Sequence, residues 1–247
     1  MEKSVSVSAE TLLLMKILVF IPTFNDRLLI PSLVKSILAL GVEFHTLVID
    51  DGSDPALETG GFSGQREKYF RCPYNVGLGV AINIALDYAH QAEFDILLRI
   101  DADGQHPLDC LLPIIEAMVV RDADVIVGVR SNSLSFGSSR SVAAAALKRH
   151  MNTTANWVSG LQLDEWHSGL IVLSRVAIKK LCLQKYERYP EVEILLRAVQ
   201  LDLKVDQFPV TQNQRKHGIS TITLRGGIHL CLRFYMLMLR HLIERRT

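Results

Sequence analysis

The residues best equipped for chemistry are Asp101-Ala102-Asp103-Gly104-Gln105, directly after the apolar run Ile96-Leu97-Leu98-Arg99-Ile100. Two carboxylates one residue apart repel each other and raise each other's pKa unless a cation lies between them. At the mouth of a buried strand, this spacing suits a hard divalent ion such as Mg²⁺ or Mn²⁺. Such ions take oxygen ligands and keep positions open for water and phosphates. Gln105 adds a neutral oxygen two residues on. The expected metal ligands are therefore Asp101, Asp103 and Gln105, with the ion bridging to a diphosphate.

The elements that must position this motif alternate. Residues 16–22 (KILVFIP) form a branched apolar run ended by proline, and so a buried strand. Pro31, the helically spaced Ile30, Leu33, Val34, Ile37 and Leu38, and Gly41 as a stop predict a helix. A strand over 45–50 runs into the turn Asp51-Gly52-Ser53, and KYFRC is a weaker third strand. A helix follows over 79–90, a strand over 94–100, a helix over 107–120 opened by Pro107, and a strand over 124–130. Alternation of this kind implies an α/β fold, a mostly parallel sheet with helices on both faces, whose ligands bind beyond the carboxyl ends of the strands. The polar clusters lie at those ends: Thr23-Asn25-Asp26, Asp50-Asp51, Asp101-Asp103 and Arg130. After 130 the pattern loosens into a serine-rich loop (131–141), a helix, the segment DEWHSGLIVLSR, a helix over about 190–200, a strand in KVDQFPV, a polar stretch TQNQRKHGIST and a terminal helix. The expected layout is an N-terminal tail (1–15), one domain (16–222) and a C-terminal amphipathic helix (223–247).

Bulk properties narrow the function classes. The chain has 247 residues, 49% of them hydrophobic, enough for one domain with a large core. A net charge of +1 argues against a nucleic-acid partner. Four scattered cysteines with no CxxC pair indicate a reducing compartment and no thiolate zinc site. The apolar LLLM near the N-terminus lacks the layout of a signal peptide, and no run reaches the roughly 18 apolar residues of a membrane span. A cytoplasmic location is expected. A dinucleotide fingerprint is not met: Gly77-Leu78-Gly79-Val80-Ala81-Ile82 lacks the third glycine and follows a weak strand. There is no GxxxxGK[ST] loop either.

The segments VFIPTFND, VIDDGSD, NVGLGVAIN, RIDADGQHP, VGVR, HSG and RKHGIS resemble, in order and spacing, family 2 glycosyltransferases of the GT-A fold. Within that family the resemblance is to the dolichyl/polyprenyl-phosphate mannosyl- and glucosyltransferases. It covers about residues 16–222 and implies a nucleotide-diphosphate sugar donor (UDP- or GDP-linked), a divalent cation and inversion at the anomeric carbon. By this resemblance Pro22, Thr23 and Asn25 flank the nucleoside, and Asp50 or Asp51 takes the imino N–H of the base. Asn75, Gly77 and Gly79 bring backbone close to the donor. Asp101, Asp103 and Gln105 match the metal motif, and Asp101 and Ala102 also count among the donor-binding residues. Arg130, Arg215, Gly218 and Ser220 lie near the phosphates, with Arg215 steadying the leaving group.

Relatives often read SGFR where this chain has Ser168-Gly169-Leu170-Ile171, so the acceptor stays open between lipid phosphate and glycan hydroxyl. Asp164, or the adjacent Glu165, is the candidate general base for a hydroxyl acceptor, and Glu191 and Glu193 lie on a helix matched to the acceptor side. His106, His167 and His217 are read as loop histidines, not ligands. Residues 228–243 combine apolar bulk with arginines, which suits either the inner face of a cell membrane or a second subunit. A non-catalytic nucleotide-sugar-binding or partner-binding relative of the same fold is the competing reading.

Overall fold

The computed structural model describes residues 12–26, 28–57, 62, 64–131, 142–187, 189–211 and 224–244, with backbone alone for 142–144 and 224–230. Its strands are β1 (Ile17–Thr23), β2 (Phe44–Asp50), β3 (Glu67–Arg71), β4 (Ile96–Arg99), β5 (Val125–Arg130), β6 (Ile171–Ser174) and β7 (Val205–Val210). Its helices are α1 (Ile30–Leu38), α2 (Leu78–Gln91), α3 (Leu111–Val120), α4 (Val142–Ser159), α5 (Arg175–Leu181), α6 (Pro190–Gln200) and α7 (Leu224–Glu244). The strands form one sheet in the order β3-β2-β1-β4-β6-β5-β7. All pairs are parallel except those of β6, which runs antiparallel to both β4 and β5.

The near-continuous apolar strands are buried on both faces, as a covered parallel sheet requires. Alternate residues divide between two cores. Ile96, Leu98 and Ile100 pack with the inner faces of α1 (Ile30, Val34, Ile37) and α3 (Leu111, Ile114, Ile115, Met118). Leu97, on the opposite side, joins α2, α4, α5, α6 and α7. Each fully buried aliphatic side chain contributes about 1.5–3 kcal/mol. Phe234 and Met238 bury α7 in this second core, so the C-terminal helix is part of the domain's packing. Leu12, inside the expected N-terminal tail, is likewise buried, in the first core. The helix expected at 107–120 opens with a 3₁₀ turn over Leu108–Cys110, and α3 proper begins at Leu111.

Register aligns the strand ends. Thr23 pairs with Asp50 and Asp50 with Arg71. Arg99, the last residue of β4, pairs with Ile171, the first of β6. One carboxyl edge therefore gathers the residues after β1, β2 and β4, and the turn entering β6 runs up to it.

Candidate active site

The loops after β1 and β2 brace each other. Asn25, at φ 58°, donates its backbone N–H to Ser53 Oγ (2.8 Å), and its Oδ1 accepts from the Asp54 amide (2.9 Å). Thr23 Oγ1 donates to the carbonyl of Asp26, Pro22 is half-buried and Thr23 is buried. Asp50 is fully buried. Its Oδ1 accepts from the Ser53 amide and its Oδ2 from the Tyr69 hydroxyl, each at 2.9 Å, with Arg71 Nε 3.7 Å away. Burial would raise the Asp50 carboxyl, but the hydrogen bonds from Ser53 and Tyr69 outweigh it and hold the group below its ordinary range. Burial and the bond to Asp50 push the Tyr69 hydroxyl up to about 12.

Asp51 closes a second loop. Its Oδ1 accepts from the Val76 amide (2.7 Å) and its Oδ2 from the Gly77 amide (2.9 Å). Each carboxylate oxygen keeps a further lone pair. Gly52 (φ 77°) is required beneath this loop, because a Cβ there would stand 2.4 Å from the Tyr74 carbonyl carbon and 2.7 Å from the Asn75 nitrogen. Asn75 is exposed, and Gly77 (φ 93°) opens α2 with clear space where a Cβ would lie. Gly79 differs. Its missing Cβ makes room for the Glu187 carbonyl, which would lie 1.8 Å from it, and Asn83 bonds both backbone groups of Tyr186. The close approach at Gly79 is thus to protein backbone.

At the end of β4, Arg99 faces the same side as Leu97 and is buried to 7% exposure. Its Nη2 donates to Asp101 Oδ1 (2.9 Å) and its Nη1 to Glu191 Oε1 on α6 (2.7 Å), while its buried Nε has no hydrogen-bond partner. A cavity of about 20 Å³, lined by apolar side chains including Ile82, Leu97 and Ile194, flanks the arginine. Burial alone would ease the proton off Arg99, but Glu191 and Asp101 outweigh it and hold the guanidinium's pKa above its ordinary value. Burial would likewise raise the Asp101 carboxyl, and the Arg99 charge, assisted by His106, holds it well below the carboxylate range. Oδ2 of Asp101 lies 3.9 Å from His106 Nε2 and packs on Gly169, where a Cβ would stand 1.9 Å away. Ala102 is buried.

Asp103 is also buried; its Oδ1 accepts from the Gln105 backbone N–H (3.0 Å) and its Oδ2 from the Gln105 side-chain amide. Gln105 therefore turns its nitrogen to the carboxylate, and acting as an oxygen ligand requires its amide to rotate by half a turn. Among the described residues no three His, Cys, Asp or Glu converge as a ready-made metal cage. Two carboxylates with a rotatable amide fit a hard divalent ion whose other ligands are water and substrate oxygens. Arg99 offsets the charge of Asp101, and the two Gln105 amides hold Asp103.

A second ionic cluster lies beyond β5. Glu165 is buried, with Lys148 Nζ at 2.6 Å and Arg130 Nε at 3.7 Å from its two oxygens. Arg130 itself is exposed. Asp164 is exposed; its Oδ2 accepts from Gln207 Nε2 (3.0 Å), and its carbonyl accepts from Asn152 (2.7 Å). Asn156 pins the same loop through the Leu163 backbone and Trp166 Nε1. His167 meets Tyr189 edge to face and Phe234 at a tilt, and burial lowers its pKa. Glu193 caps its own helix, accepting from the amides of Glu187 and Tyr189. Arg215, His217, Gly218 and Ser220 lie outside the described residues.

Sequence reasoning missed Arg99, Gly169, Tyr69 and Lys148. The signal for Arg99 was present: a charged residue inside an apolar strand must find buried partners.

A covered α/β sheet with acidic loops along one carboxyl edge is the architecture of nucleotide-sugar enzymes of the GT-A fold, and the solved structures agree. Glucosyl-3-phosphoglycerate synthase from Mycobacterium tuberculosis, in complex with Mn²⁺, UDP-glucose and phosphoglyceric acid, matches with a TM-score of 0.62 at 17% identity, covering 94% of this chain and 79% of that one. The family model for glycosyl transferase family 2 matches residues 18–162, and the chain belongs to that family. It is 24% identical over 218 residues to the polyprenol monophosphomannose synthase of Mycolicibacterium smegmatis, covering 83% of this chain and 80% of the relative. It is 25% identical over 227 residues to the undecaprenyl-phosphate mannosyltransferase of Micrococcus luteus, covering 87% and 89%. The chain is a glycosyltransferase.

Proposed function

We propose that this glycosyltransferase moves a hexose from a UDP- or GDP-sugar to a polyprenyl phosphate, using Mg²⁺ or Mn²⁺ and inverting the anomeric carbon. The observation that carries the reading is the convergence, on one sheet edge, of Asp101 and Asp103 with the Asp50–Asp51 loops and the Gly169 turn. The names of the two mannosyl-transferring relatives support the acceptor class, and the Mn²⁺ and UDP-glucose bound to the structural neighbour support donor and metal.

In this mechanism Asp103 and Asp101 would hold the ion, with Gln105 as a third ligand after rotation of its amide. A divalent ion held there would supply positive charge for the departing diphosphate. Asp51, buried but not fully sealed, meets the base through its remaining lone pairs, while the fully sealed Asp50 holds that loop in shape. Pro22, Thr23, Asn25, Asn75 and Gly77 shape the nucleoside pocket, and Arg130 serves the phosphates; Arg215 and Ser220 are given the same role from the sequence alone. The acceptor oxygen displaces the nucleotide diphosphate from the opposite face of the sugar, and much of the rate comes from alignment. A phosphate acceptor is already ionised and needs no general base. Asp164 serves as base only for a glycan hydroxyl, which is the second acceptor class its exposed carboxylate allows.

No helix among the described residues is long and apolar enough to cross a membrane. On α7, however, Leu232, Met236, Leu239 and Ile243 are 57–70% exposed, and their spacing sets them on one stripe. Arg240 stands exposed beside it. We place this stripe on an anionic membrane surface at the cytoplasmic side, where a lipid acceptor is met, in preference to a contact between copies of the chain.

The test is transfer from a panel of UDP- and GDP-sugars to polyprenyl phosphate and to soluble glycans, with Mn²⁺ and with EDTA. Product that forms only with metal and lipid phosphate supports the reading. Metal-independent product, or none from any donor, overturns it.

A further inference from the structure

Arg99 is itself buried, yet it holds one of the motif's two carboxylates. Its guanidinium is clamped from behind by Glu191 and in front by Asp101. Asp101 in turn is wedged between that guanidinium and the bare Cα of Gly169. The carboxylate is therefore fixed in direction, with Oδ1 spent on Arg99. A cation seated on Asp101 shares that carboxylate with a positive charge, and like charges so close oppose each other in a poorly screened setting.

We infer that Arg99 is a positioning residue and the site's built-in counter-cation. It holds Asp101 in working orientation before the ion arrives, and it weakens binding of the ion alone, so that tight metal binding waits for the donor's diphosphate. The inference rests on the metal-dependent reading above. It gives Arg99 a cost and a benefit: the preformed site avoids repulsion between Asp101 and Asp103, and the metal is held firmly only when there is donor to activate.

The experiment is calorimetric titration of the full chain with Mn²⁺ alone and with Mn²⁺ plus UDP or GDP. The variants are Arg99→Met/Glu191→Gln and Glu191→Gln. The double variant removes one positive and one negative charge, so the net charge of the cluster is unchanged; it strands neither Arg99 nor Glu191, and Asp101, whose side chain is 37% exposed, gives up its guanidinium partner. It should bind Mn²⁺ alone at least about tenfold more tightly than wild type, or about 1.4 kcal/mol. The gain in Mn²⁺ affinity from UDP or GDP should shrink by the same factor. Its kcat should fall even so, because Asp101 is no longer held, whereas mere structural damage would weaken metal binding and activity together. Glu191→Gln, which leaves Arg99 to Asp101 alone, should lower the affinity for Mn²⁺; a rise overturns the inference even if the double variant does not fold. A folded double variant whose Mn²⁺ affinity is unchanged or lower overturns the inference and leaves metal-dependent transfer standing. A wild type that binds Mn²⁺ in neither condition overturns both.

Discussion

The Cα of Gly169 packs directly on the carboxylate of Asp101: a Cβ there would stand 1.9 Å from Oδ2 and 2.4 Å from Cγ. The turn entering β6 thus reserves the space that the end of β4 needs. Gly169→Ala should push Asp101 aside. Overpacking of this kind costs about 1–3 kcal/mol, and a displacement near 1 Å at a reacting centre costs roughly 100-fold in rate. Transfer assays beside thermal melts check this; wild-type kcat in the alanine variant would refute the close packing.

On the proposed function Asp51 is the carboxylate that reads the base, because Asp50 has no exposed surface and Asp51 keeps 7%. Calorimetry with UDP, GDP, ADP and CDP should find one nucleotide bound at least about tenfold more tightly than the others, since a mismatched base turns an acceptor, not a donor, toward a buried carboxylate. Equal binding of all four removes Asp51 from that role.

Much of this was legible in the chain. The strand that ends just before Asp101 and Asp103, and the alternation up to Arg130, predicted the parallel half of the sheet and put both carboxylates beyond its carboxyl edge. What stayed hidden depends on contacts distant in sequence. The antiparallel course of β6 follows from its place between β4 and β5, which no local pattern encodes. The cation that the two carboxylates demand is in part Arg99, whose link to Glu191 spans 92 residues. Gly79 reads as a donor contact by motif, yet it serves the approach of Glu187, which only packing reveals. Gln105 reads as an oxygen ligand, yet it turns its amide nitrogen to Asp103.

Asp164→Asn separates the two acceptor classes. Its carboxylate is exposed and bonded to Gln207, so the variant should fold normally. With polyprenyl phosphate, kcat should stay within about threefold of wild type, because no proton needs removing; with a hydroxyl acceptor, loss of a general base costs about 10²–10⁴-fold. A large loss with the phosphate acceptor would make Asp164 essential for another reason and contradict the mechanism.

The stripe on α7 can be tested without disturbing the core, since Leu232, Met236 and Leu239 are all exposed. Wild type should sediment with anionic vesicles at low salt, release at high salt as screening shortens the reach of its arginines, and lose binding when all three become Gln. Protein that stays in the supernatant at low salt, yet sediments as a dimer by ultracentrifugation, would assign the stripe to a contact between copies.

Asp103 carries the central claim, because it is the buried carboxylate of the motif that follows β4. The direct measurement is calorimetric titration of UDP and GDP into wild type and Asp103→Asn, each with Mn²⁺ and with EDTA. Wild type should bind its preferred nucleotide tightly with Mn²⁺ and at least about 100-fold more weakly with EDTA, a difference of about 2.7 kcal/mol. Asp103→Asn, with its fold intact by circular dichroism, should show the weak affinity in both conditions. Equal affinity in wild type with and without EDTA would contradict the account.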